Sequence, residues 1–199
     1  MSDPNQSRAD TLKHAQIAMQ QGRFRDAANL TDGLLAVDPN DQDALYMAAV
    51  AARYDTQFEA AQTHIERLKT LAPDFGRAFQ EEGHLKRAIG DIPGALTAYR
   101  FATRYNPALL ASFEAEAALL REIGQNPSQA EAQAARLKAL PRPLLAVTNH
   151  IPEGKIFQAE EIARAFMRQN PRNVEGMRLL AEIGTRLGVN DDADFIDVL

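Results

Sequence analysis

Prolines at Pro39, Pro73, Pro107 and Pro141 stand 34 residues apart, and this constant period constrains the chain more than any single residue does. A small residue lies 12 positions before each of the first three: Ala27, Ala61 and Ala95. Seventeen positions before them are Gly22, Thr56 and Gly90, and Gly124 continues that series at 34. The stretch Gly90 to Pro107 shows what one period encodes. Gly90 closes a helix, because a helix C-terminus favours a residue that tolerates positive φ. Asp91 can cap the next helix, and Pro93 falls in its first turn, where a missing N–H costs nothing. Ala95, Tyr99 and Ala102 share one helical face, and Pro107 stops the helix.

Each period is therefore a helix–turn–helix unit that buries its apolar face only by stacking on its neighbours. Composition agrees. Of the 199 residues 45% are hydrophobic and 25% charged, which is ordinary for a folded chain. The formal net charge of −5 argues against general affinity for nucleic acid or anionic membranes. Cysteine is absent, which removes disulfides, thiolate metal sites and cysteine nucleophiles. The polar start from Met1 to Asp10 has no apolar signal core, and no apolar run is long enough to cross a bilayer. A cytoplasmic location is the expectation.

The period and its punctuation resemble the tetratricopeptide repeat (TPR) family. The resemblance implies an all-α fold, a right-handed superhelical solenoid of antiparallel helix pairs with about five repeats and a truncated sixth. Residues 1–7 read as a flexible lead and 8–199 as a single solenoid, with repeats at about 8–41, 42–75, 76–109, 110–140, 141–173 and 174–199. The third repeat matches best: Phe79, Gly83, Gly90, Ala95, Tyr99, Ala102 and Pro107 all occupy family positions. Gly83 is expected to let paired helices approach closely, which offsets its cost of about 1 kcal/mol inside a helix. Three departures stand out. Leu45, Phe79 and Phe113 fill the usual tryptophan slot, Gln129 replaces the expected alanine, and Pro171 follows Pro141 by only 30 residues. The alanine-rich helix from Ser128 to Ala139 is expected to pack thinly, and Leu144, Leu145, Val147 and Ile151 after the Pro141 break read as core.

No catalytic constellation emerges, so the chain is not expected to be an enzyme or to carry a cofactor or metal. The glycines lack phosphate-loop spacing. His14, His64, His84 and His150 lie too far apart for a metal motif. The adjacent pairs Glu81–Glu82, Glu160–Glu161 and Asp191–Asp192 point about 100° apart on a helix, and are expected to be solvated faces and caps rather than paired catalytic carboxylates.

What a stacked array supplies is a surface, and the family resemblance implies protein–protein interaction through a concave groove lined by the first helices. Arg53, Arg87 and Arg121 repeat at 34 and form a ladder in that register. Arg77 and His84 share a face with Arg87, and Tyr46 adds a stacking surface. Such a strip suits a carboxylate-rich or phosphorylated peptide, since arginine binds those groups bidentately. The alternative is that Glu82, Glu114 and Glu122 simply pair with these arginines, which implies no ligand. Chaperone-binding TPRs hold a terminal carboxylate with a Lys/Asn/Arg set. Leu12, Gln16 and Met47 stand at the corresponding positions here and argue against that ligand.

A narrower resemblance rests on Phe79 to His84, Ala95 to Arg100, Asn106 to Ala108 and Arg178 to Gly184. These runs look like the N-terminal arrays of bacterial TPR–sulfotransferase fusions, which implies a substrate-recruiting arm whose catalytic domain lies beyond Leu199. The apolar Phe195, Ile196, Val198 and Leu199 do not form the polar cap a terminal repeat needs. The expectation is a chain that continues past Leu199, with a short helix folding back as the alternative, and self-association through this face as a third.

Overall fold

The computed structural model describes residues 4–188, and among them every regular element is an α-helix. By its contacts the chain forms two compact units, Met1–Arg104 and Tyr105–Leu199.

The first unit contains α1 (Pro4–Gln20), α2 (Phe24–Val37), α3 (Gln42–Tyr54), α4 (Phe58–Leu71), α5 (Gly76–Ala88) and nearly all of α6 (Ile92–Tyr105). α1 begins at Pro4, so the helix takes in the last residues of the expected lead. From α1 to α5 consecutive helices pack on one another, and the first helices also touch across pairs, α1 on α3 and α3 on α5. Small residues make this possible. Ala15, Ala18, Ala27 and Ala51 form one buried cluster, and Ala49, Ala52, Ala61, Ile65 and Leu85 form the next. Fully buried Leu45, Ile65, Leu68 and Leu85 supply the larger increments, each about 1.5–3 kcal/mol relative to exposure.

The turns carry the period into backbone geometry. Positive φ recurs at Gly22, Thr56, Gly90 and Gly124, with Thr56 at +61° the one residue other than glycine. The series restarts at Gly154 and Gly188, so the single irregular step is the 30 residues between Gly124 and Gly154. Starts of helices are fixed by side chains. Asp91 Oδ1 accepts from Gly94 N at 2.9 Å, as its position predicts. Asp41 Oδ1 accepts from Ala44 N at 3.1 Å, and Arg8 donates to both Asp41 oxygens at 2.6 Å, which clamps α1 to the start of α3.

The second unit contains α7 (Leu110–Glu122), α8 (Ser128–Lys138), α9 (Arg142–His150), α10 (Ile156–Gln169) and α11 (Val174–Leu187). Leu144, Val147 and Ile151 are core, as expected, and join Ala159, Ala163, Met167, Leu179, Leu180 and Ile183 in one cluster; Leu145 is half-buried. α8 buries only Ala130 and Ala134. It starts four residues after Gly124, whereas α2, α4, α6 and α10 start two after their own left-handed residue. Its buried small residue is consequently Ala130, and Gln129 is exposed. A buried amide tie secures the short α9. Asn149 Nδ2 donates to the Ala108 carbonyl at 3.2 Å, and Asn106 Oδ1 accepts from Ala108 N at 3.0 Å.

Candidate functional site

In the first unit the candidate residues gather around α5. Arg53, in the last turn of α3, donates from Nε to Glu81 Oε2 at 2.9 Å, and both side chains are largely buried, at 14% and 5% exposure. The guanidinium also lies 4.2 Å over the Tyr54 ring, which stacks on Phe24 at 4.6 Å. The stacking surface for Arg53 is therefore Tyr54. Tyr46, half-buried on α3, meets Phe75 edge-on at 6.1 Å instead.

The expectation that Glu81 and Glu82 form a solvated face is corrected: they are 4% and 7% exposed. α5 is wrapped by α3 and α4 and by Tyr99 of α6, so even its polar side is covered. Charge pairing makes the burial tolerable. Glu82 accepts from Lys69 at 2.7 Å and from Lys86 at 3.1 Å, and Lys69 also lies 4.8 Å over the Phe79 ring. Burial pushes the Glu81 carboxyl above the usual carboxylate range, and Arg53 and Arg77 oppose that shift. Burial also opposes the charge on Arg53, but Glu81 more than offsets it and holds the guanidinium charged.

His84 and Tyr99 complete the cluster, with Nδ1 and Oη 2.8 Å apart. Burial, then the charges of Arg53 and Arg87, lower the histidine to a pKa of about 4, so the ring is neutral. The same burial pushes the tyrosine up to about 12. Arg77 is half-buried. Arg87 is exposed and has no ion-pair partner among the described residues.

Arg121 lies in the second unit. It donates to Glu131 Oε1 from Nε at 2.9 Å and from Nη2 at 2.6 Å, with both side chains half-exposed. Arginine–glutamate pairing thus exists, but with Glu81 and Glu131 rather than Glu82, Glu114 or Glu122. Glu114 pairs with Lys138 at 2.6 Å. Sequence reasoning passed over Lys69, Lys86 and Tyr54; only Tyr54 carried a signal, as the aromatic next to a candidate arginine. The apolar residues Phe195, Ile196, Val198 and Leu199 and the Asp191–Asp192 pair lie outside the described residues. No helix among the described residues is long and apolar enough to cross a membrane.

Residues 12–74 match the family described as Tetratricopeptide repeat. No curated protein matches the chain, so the narrower resemblance to sulfotransferase fusions gains no support from such relatives. Several solved structures share the fold. A thermophilic TPR protein of Thermus thermophilus aligns with a TM-score of 0.59 at 17% identity, covering 88% of this chain and 98% of that one. The MamA protein gives 0.56 at 12%, covering 94% and 97%. A tetratricopeptide repeat protein from Parabacteroides merdae gives 0.55 at 13%, covering 92% and 74%. Residues 12–74 are thus tetratricopeptide repeat sequence, and the described chain has the all-helical TPR fold.

Proposed function

We propose that the chain is a protein-interaction module whose first unit binds an acidic peptide along the face formed by α1, α3 and α5. TPR proteins generally mediate protein–protein interaction, and a stacked array holds its surface before a partner arrives, which lowers the ordering cost of binding. One observation carries the acidic preference. Arg53 pairs with Glu81, Lys69 and Lys86 share Glu82, and Arg87 adds its charge beside His84, so the ion pairs about α5 leave positive charge over in an acidic protein. Arg87 is the exposed member of that set and has no carboxylate of its own among the described residues, so it is the natural anchor. Arg53 is already held by Glu81 and supports the site from behind. A cytoplasmic setting belongs to the same proposal.

The test is a peptide screen with acidic, phosphorylated and neutral sequences against wild type, Arg87→Ala and the Arg53/Arg87→Ala double variant. Arg87→Ala is the cleaner probe, because removing Arg53 strands Glu81 as a buried charge, a loss of about 3–5 kcal/mol. Acidic peptides should bind best, weaken with salt, and lose about tenfold on Arg87→Ala. Acidic-peptide binding unchanged by Arg87→Ala would sink the proposal.

A further inference from the structure

Side chains on the first helices of the first unit recur in step with the period. Val50 of α3 and His84 of α5 stand 34 apart, as do Arg53 and Arg87. On α3, Tyr46, Val50 and Arg53 follow at i, i+4 and i+7 and share one face. On α5, His84 and Arg87 share a face at i and i+3. α3 packs on α5, and the Arg53–Glu81 pair at 2.9 Å joins the two helices there. Two neighbouring strips result, and their chemistry differs.

The strip on α3 is electrically balanced. Tyr46 and Val50 are half-buried and keep part of their surface open. Arg53, the charged member, is neutralised by Glu81 and lies 4.2 Å over the Tyr54 ring. The strip on α5 is cationic. Arg87 is exposed, and no carboxylate among the described residues pairs with it. Glu82, next along α5 from Glu81, is already taken by Lys69 and Lys86. A segment crossing from α3 to α5 therefore meets no unpaired charge on the first strip and a positive one on the second. Packed helices lie about 8–10 Å apart, and an extended chain rises about 3.3 Å per residue. Residues about three apart in such a segment reach the two strips together.

We infer that the partner segment is extended and amphipathic, with an Asp or Glu on Arg87 and a large aliphatic side chain three residues away on Val50 and Tyr46. This rests on the acidic-peptide reading above and adds the apolar half of the recognition. Charge selects the acid at α5, and the balanced α3 strip can cover an apolar side chain without stranding a charge.

The experiment titrates Gly/Ser peptides into the full chain with methyl-labelled Val and Leu. One peptide carries Leu-Ser-Gly-Asp-Gly-Ser-Leu at its centre, so that a leucine is placed for either chain direction. The second has Ala for both leucines, and the third has Lys for the aspartate. The Leu/Asp peptide should shift the Val50 methyls and bind about tenfold more tightly than the Ala/Asp peptide. The Leu/Lys peptide should bind weakest. Val50→Thr keeps the shape of the side chain but adds a hydroxyl, so it should narrow the preference for Leu over Ala and leave the Ala/Asp affinity unchanged. Circular dichroism checks that this variant folds, and the peptide preference and methyl shifts of the wild type do not depend on it. Arg87→Ala should weaken both Asp peptides alike. Asp peptides that bind through Arg87 without preferring Leu, silent Val50 methyls, or a preference untouched by Val50→Thr in the folded variant would overturn this inference and leave the acidic-peptide reading standing. Asp peptides indifferent to Arg87→Ala, or a Leu/Lys peptide that binds as well as Leu/Asp, would overturn both.

Discussion

Gly83→Ala is the sharpest test of how the third helix pair is held. A Cβ on Gly83 would sit 2.5 Å from Tyr99 Cε1 and 2.6 Å from Cδ1, well inside van der Waals contact. The Tyr99 ring is fully buried and hydrogen-bonded to His84, so it cannot swing away freely. Overpacking of this kind costs about 1–3 kcal/mol, and displacing the ring forfeits a hydrogen bond of about 1 kcal/mol. Replacing a helical glycine by alanine returns about 1 kcal/mol of helix propensity. The net expectation is destabilisation by about 1–3 kcal/mol, read as a fall in the urea midpoint by circular dichroism. Gly33 is the control: it lies in α2, and a Cβ there would meet nothing within 4 Å, so Gly33→Ala should stabilise by about 0.5–1 kcal/mol. In a Tyr99→Leu background the cost of Gly83→Ala should shrink, because the clashing ring is gone. A Gly83→Ala protein as stable as the Gly33→Ala protein would refute the reasoning.

Acid should weaken the fold through His84. Its pKa falls from 6.5 to about 4 on folding, so the unfolded chain binds the extra proton between those values. The stability from the neutral ring is fully present above pH 6.5 and is lost as pH falls towards 4, by about 3 kcal/mol if the whole shift is expressed. A His84→Asn protein should show a flatter urea midpoint over that window, and a parallel profile would count against the buried neutral ring. Thr56 holds a φ of +61°, a left-handed conformation costing a residue with a Cβ about 1–2 kcal/mol. Thr56→Gly should therefore raise stability by about 0.5–1 kcal/mol after the added chain entropy, and a lower thermal midpoint would show that the strain is absent. α8, with two buried alanines and no larger buried side chain, should lose amide protection first in the second unit, ahead of α9 to α11. Protection in α8 equal to that in α10 would contradict this.

Much of the architecture was legible in one line of sequence because helix turns and close approaches demand particular residues. The left-handed positions were readable down to Thr56, which the period marked although threonine itself does not favour that conformation. Gly83 announced a close contact, and the contact proved to be Tyr99. The site was legible only in part. Arg53, His84 and Arg87 fall close to one another because they share the α3–α5 neighbourhood that the register implied. The state of each was not readable. A helix sequence shows which residues share a face, but Glu81 and Glu82 lie on different faces, and only the wrapping of α5 by three helices buries both.

The sequence by itself determined the helix pairs, their turns, the cap at Asp91, and the one irregular interval, since these depend on local dihedral preference and on spacing along the chain. Tertiary structure decided which charges meet. Arg53 finds Glu81 across 28 residues, and Asn106 reaches Asn149 across 43. It also decided that Ala130 rather than Gln129 faces the core, and that Arg87 is left without a carboxylate among the described residues. Those outcomes turn on the rotation and separation of neighbouring helices, and a shift of one residue in register exchanges a buried side chain for an exposed one.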